Sequence, residues 1–215
     1  MLGESSPTRT ASVAEWTHAI ARPTISPAGG SAAALAAAAA AALVEMVASL
    51  TASREAYAPA HEEAKAARAR AEGLRQELLI LASADAESLQ RFAQALALPR
   101  GSEAERELRE RRKRSALQEG AEIQRDVLNG CAEVAALGLD MAERGLASAR
   151  GDAGTAVFLA AGAGRSASWA VRLNLGGEPG GSEFARLVDA AAVKLAEIEQ
   201  AERRAKRLLE GHQAE

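Results

Sequence analysis

Asp85 is the residue whose placement most invites chemistry. Projected at about 100° per residue, Leu78, Leu81, Ala82, Leu89, Phe92 and Leu96 share one helical stripe, and Asp85 falls within it. A carboxyl turned toward a core loses hydration, which raises its pKa unless a cation or a donor compensates. Such a group can exchange protons near neutral pH, the working range of a general acid or base. A buried ion pair, or an aspartate bonded to its own helix to fix packing, satisfies the same pattern. The helical wheel leaves both readings open.

Other places carry weaker signals. Pro27-Ala28-Gly29-Gly30-Ser31 leads into a helix. Glycines there let a ligand approach the backbone, and first-turn N–H groups favour an anion. Gly-Gly-Ser is equally an ordinary helix entry. Asp152, in Arg150-Gly151-Asp152-Ala153-Gly154, reads first as an N-cap worth about 1 kcal/mol. Tyr57 follows Arg54 by one turn near the end of an alanine-rich helix, where it can pack on a flat ligand or close the helix end. Arg172 and Asn174, near the end of a later helix, are ambiguous in the same way. Cys131 lies among Ala, Leu and Val and reads as a small buried hydrophobe. His18, His61 and His212 are far apart and no Cys-x-x-Cys occurs, so no metal is expected.

The elements that must position these residues are helical. Residues 1–10 read as a flexible tail, followed by a single domain over 11–212. A short helix starts at Ser12, with Val13, Trp16 and Ile20 on one side. Pro23, Pro27, Gly29 and Gly30 interrupt it, and Ser31 opens an alanine-rich helix to about Thr51. Pro59 fits the first turn of a long helix ending near Pro99-Arg100-Gly101. Ser102 and Glu105 form a capping-box pattern. Glu105, Glu107 and Glu110 each precede an arginine by four residues, so Arg111-Arg112-Lys113-Arg114 reads as a solvated helix face. That helix continues to about Ala149, with a break near Asn129-Gly130. Asp152 caps a helix through Leu173, the glycines over 176–181 form a loop, and Ser182 opens a last helix ending near Gly211. The pattern predicts an all-α, elongated up-and-down bundle of about five long helices plus a short one.

Composition agrees. Hydrophobic residues make up 48% of the 215 residues but aromatics only 3%, so Ala, Leu and Val must fill the core. Alanine forms helix most readily and lets backbones approach closely, whereas a sheet would want β-branched and aromatic residues. A net charge of −3 offers no footprint for nucleic acid. The apolar run from Ser31 to Val44 stops at Glu45, short of the ~18 residues of a membrane span, and begins too far from Met1 for a signal peptide. It reads as an interior helix, and with one cysteine the chain is expected in the cytoplasm. An alanine-rich helix needs close neighbours on every side, and a second copy of the chain can supply them; a homodimer is expected.

Taken in order, these segments resemble the cyclodeaminase/cyclohydrolase family, which includes methenyltetrahydrofolate cyclohydrolases and the cyclodeaminase half of formiminotransferase-cyclodeaminase. The likeness runs from about Ser12 to Gly211. It is strongest over Ser26-Pro27-Ala28-Gly29-Gly30-Ser31-Ala32-Ala33-Ala34-Leu35 and from Leu43 to Thr51. Asp85-Ala86-Glu87-Ser88-Leu89 with Leu98-Pro99, Asp152-Ala153-Gly154 and Val171-Arg172-Leu173-Asn174-Leu175 match further blocks. The resemblance implies an all-α dimer acting on a tetrahydrofolate derivative without metal or redox cofactor. Pro27, Gly29, Gly30 and Ser31 would line the folate site, Asp85 would be the acid/base, and Arg54, Tyr57, Asp152 and Asn174 would support them. The chain departs from the family pattern at Ala28, a glycine there, and at Glu55 and Ala56, where a basic cluster is reduced to Arg54. It departs again at Leu146, Ser148 and Ala170, where asparagines are usual. The implied activities are cyclohydrolase or cyclodeaminase; the alternative is a weakened member serving as a folate-binding or protein-interaction module. A catalytic Asp85 would face a ligand-sized, partly dry cavity bordered by the glycine turn.

Overall fold

A computed structural model describes residues 10–175 and 182–211. The expected tail before Thr10, the glycine loop over 176–181 and the domain end at 212 lie outside these residues. The described elements are α1 (Val13–Ala21), α2 (Gly29–Ala52), a 3₁₀ turn (Glu55–Ala60), α3 (His61–Leu96), α4 (Glu103–Arg144), a second 3₁₀ turn (Ala147–Ala149), α5 (Arg150–Leu175) and α6 (Ser182–Gly211). No strand occurs among the described residues. Five long helices and one short one are the expected inventory.

Local chemistry sets the boundaries. Ser12 caps α1 and Ser102 caps α4, each through a capping box closed by Glu15 or Glu105 three residues on. Because Glu105 is engaged by the cap and Glu110 holds Lys113 at 2.8 Å, the expected pairing rows are only partly realised; Glu107–Arg111 forms at 3.7 Å. Four other expectations are corrected. The alanine-rich helix begins at Gly29, two residues before Ser31. Pro59 sits in the 3₁₀ turn rather than in α3. α4 passes Asn129-Gly130 without a break, because Gly130 is needed as a flat seat for Leu78, whose Cδ2 lies 3.0 Å from where a Cβ would stand. Asp152 is not a cap: α5 starts two residues earlier, directly from the 3₁₀ turn, and places Asp152 in its first turn.

α2 packs on α3, α5 and α4, and α4 in turn touches all four other long helices, with α6 set against α4 and α5. Ala34, Ala37, Ala40, Ala41, Val44 and Val47 are fully buried. Small side chains let helices meet at backbone distance; at Gly138 of α4, a Cβ would stand 3.0 Å from Val157 and 3.3 Å from the Ala153 carbonyl of α5. The helix runs 24 residues, past Glu45, so by length and mean hydropathy it is apolar enough to cross a bilayer, but half of its most apolar window is buried in the protein. The other face is apolar too: Leu35, Ala36, Ala39, Leu43, Met46 and Leu50 are half-buried or exposed. α5 also exposes Phe158, Leu159, Trp169 and Leu173.

Ala41→Leu should force α2 away from its neighbours and lower stability by about 2 kcal/mol. A urea midpoint equal to that of the wild type would show that the seam around α2 has room to spare.

Candidate active site

Asp85 does point inward, and it meets neutral partners rather than an arginine. The residue is 5% exposed. Ser31 Oγ, in the first turn of α2, donates to one carboxyl oxygen at 2.8 Å. Gln124 Nε2, from the middle of α4, donates to the other at 2.7 Å. Burial pushes the carboxyl above its ordinary pKa, while the Ser31 hydroxyl, the Gln124 amide and the Ser31 main-chain N–H pull the other way. Burial wins, and no charged side chain is among the influences. The bland alternative of a buried ion pair is therefore excluded for this aspartate.

Gly30 makes the arrangement possible. A methyl group there would overlap Asp85 Oδ1 and Gln124 Nε2, so the carboxyl and the amide close directly over the bare backbone of α2. Gly29 is different, with nothing within 4 Å of where its Cβ would be; it forms the open rim of the turn. Ala28, the departure from three glycines, has extended backbone at φ −141°, which any residue adopts. Pro27 is buried behind it, and Ser26 Oγ donates to the Ala86 carbonyl at 2.6 Å, tying the turn to α3 beside Asp85. Asn174 reaches the same end of the bundle. Its Nδ2 lies 2.9 Å from where a Cβ on Gly120 would stand, with buried Ser88 Oγ at 3.5 Å from that point.

The remaining predicted residues are at the opposite end. At about 1.5 Å per residue, the 24 residues of α2 span about 36 Å. Arg54 lies exposed beyond its C-terminus, and the Arg54 carbonyl is 2.9 Å from His61 Nε2. Tyr57 Oη accepts from the Ala147 N–H at 2.9 Å, and Thr51 Oγ1 from the Leu146 N–H at 2.9 Å. Asp152 is exposed. One subunit thus brings together Pro27, Gly29, Gly30, Ser31, Asp85 and Asn174 and keeps Arg54, Tyr57 and Asp152 apart from them.

One groove in the bundle is not the cavity expected beside Asp85. A groove of about 390 Å³ opens between α3 and α4, lined by Leu74, Leu78, Ile80, Leu81, Asp126 and neighbours; it includes neither Asp85 nor the glycine turn. Sequence reasoning missed Gln124 and Ser88. Gln124 was detectable, since Ala116, Gly120, Val127 and Cys131 place it on the buried stripe of α4 as clearly as Asp85 is placed on α3. Ser88 sits one turn beyond Asp85 and bonds back to its carbonyl at 3.0 Å. Cys131, whose thiol burial pushes up to about 12, is inert as expected.

Fold and site together define an all-α bundle in which three helices meet on a desolvated carboxyl. Comparison with known proteins narrows this: the family model for formiminotransferase-cyclodeaminase matches residues 12–194, and the chain belongs to that family. It is 31% identical over 152 residues to methenyltetrahydrofolate cyclohydrolase from Methylorubrum extorquens, covering 71% of this chain and 73% of that protein. It also superposes on the crystal structure of formiminotetrahydrofolate cyclodeaminase from Thermotoga maritima with a TM-score of 0.83 at 26% identity, covering 94% of this chain and 97% of that one.

Because folding raises the pKa of Asp85, the stability linked to its proton is full below the ordinary carboxylate range. It is lost as pH rises through the raised value. Asp85→Asn, neutral throughout, should therefore be more stable than the wild type at about pH 7.5, with the difference closing toward about pH 4. Urea unfolding across that range measures it; a difference independent of pH would contradict the desolvated state of the carboxyl.

Proposed function

We propose that this chain is a folate one-carbon enzyme that hydrolyses 5,10-methenyltetrahydrofolate to 10-formyltetrahydrofolate, with cyclodeamination of 5-formiminotetrahydrofolate as the sister reaction on the same site. The observation that carries the reading is the desolvated carboxyl of Asp85, held by neutral groups at the glycine turn in a chain of this family. Hydration of the methenyl bridge is redox-neutral and asks for proton transfer alone. Asp85 accepts a proton from water as the water oxygen bonds to the bridging carbon. It returns that proton to the departing folate nitrogen as the carbon–nitrogen bond breaks, and the carbon's hydroxyl proton leaves to solvent as the formyl group forms. Gly29, exposed next to Gly30, and the half-buried amide of Asn174, near Ser88 one turn along α3 from Asp85, are the groups placed to receive the ligand.

The reading includes a homodimer in a reducing cytoplasm. Two observations support the dimer. The outward faces of α2 and α5 are apolar, and the site residues implied by the family stand about 36 Å apart within one subunit. A two-fold axis that sets α2 antiparallel to its copy brings Arg54, Tyr57 and Asp152 of one subunit toward Asp85 of the other. A second reading, a folate-binding or interaction module, draws on the 5% exposure of Asp85 and on the single basic residue left at Arg54. Turnover separates the two.

Loss of near-UV absorbance of 5,10-methenyltetrahydrofolate should be faster with protein than in buffer. Asp85→Asn should cut the rate at least about a hundredfold while helical circular dichroism is unchanged. No acceleration by the wild type would remove the cyclohydrolase, and ammonia release from 5-formiminotetrahydrofolate tests the sister reaction. For the shared site, Asp85→Asn and Arg54→Glu chains, each impaired alone, should regain activity when mixed dimers form. A monomer mass at micromolar concentration would end that part of the reading.

A further inference from the structure

The Gln124 side chain is 1% exposed, yet only one end of its amide is held. Nε2 donates to Asp85 Oδ1 at 2.7 Å, while Oε1 is buried with no hydrogen-bond partner among the described residues. A buried amide with both ends engaged is locked, since turning it over breaks a second bond. This amide can turn over at no such cost. Gly30 leaves the space directly against both groups empty of side chain. Ser31 Oγ, the other side-chain partner, is a hydroxyl that can donate to a carboxylate or accept from a carboxylic acid. α2 presents only Ser31 to the carboxyl and α4 only Gln124, both neutral; Arg91 of α3 and Glu119 of α4, farther along the seam, are bonded to one another.

We propose that Gln124 is a positioning residue whose amide reverses as Asp85 gains and loses a proton, Nε2 donating to the carboxylate and Oε1 accepting from the acid. The carboxyl then keeps one orientation in both protonation states. A group that takes a proton in one step and returns it in the next requires this. An arginine in place of Gln124 would hold the same oxygen but keep it ionised. The inference rests on the acid/base role proposed for Asp85, but its first test needs no substrate.

In full-length protein labelled with ¹⁵N-glutamine and ¹³C-aspartate, Gln124→Met and Asp85→Asn assign the two resonances. The Gln124 amide protons should lose their hydrogen-bonded shift with the same midpoint at which the Asp85 carboxyl titrates. An amide that keeps that shift through the titration is a fixed donor and overturns the reversal. So does an Asp85 that stays ionised down to the acid unfolding edge. The pH profile of cyclohydrolysis gives a second readout. A reversing amide steadies both forms, so Gln124→Met should lower kcat about tenfold at every pH with KM little changed, and move the acid limb by less than about half a unit. An acid limb that rises by about one unit or more marks a fixed donor and rejects the proposal. Turnover without reversal leaves the folate reading standing, and reversal without turnover leaves the positioning role standing.

Discussion

Three helices converge on one carboxyl. Asp85 belongs to α3, Ser31 to the first turn of α2, and Gln124 to the middle of α4; their two side-chain hydrogen bonds, at 2.8 and 2.7 Å, join the three helices where α2 begins. The joint depends on Gly30, because any side chain there would fill the space in which carboxyl and amide meet. Burial makes the charged form costly, and neutral donors lessen that cost without removing it. The result is a desolvated carboxyl placed where the chain turns into its alanine-rich helix.

The packing around that joint is close. Alanines on the inner face of α2 are fully buried against α3, α4 and α5, so a tilt of the first turn of α2 would open space in the core. The same composition leaves an apolar outer face. Glu45 and Ser49 interrupt that face, but Leu43, Met46 and Leu50 lie on it and the described chain does not fully cover them.

The fold was legible because helical periodicity and caps are local. Ser12 with Glu15 and Ser102 with Glu105 start helices where the sequence says they should, and the stripe through Leu78 and Ala82 put Asp85 inside. Expectations failed where a residue has two uses. Gly130 reads as a breaker but serves as a seat for Leu78, and Asp152 reads as a cap although the helix had already begun at Arg150. The site was half legible. The family likeness named Asp85, the glycine turn and Asn174, which do come together, but distance between helix ends is invisible to a linear pattern, so Arg54, Tyr57 and Asp152 were grouped with residues they do not meet in one subunit. Gln124 was overlooked because a single amide among apolar residues attracts less notice than a charge, although its stripe was as clear.

At the far end, the tyrosine hydroxyl occupies a lone pair with the Ala147 N–H, at 2.9 Å. That bond ties the 3₁₀ turn that carries Tyr57, just before α3, to the 3₁₀ turn that leads into α5. The entrances of two long helices are thereby clasped to one another through a single phenol oxygen.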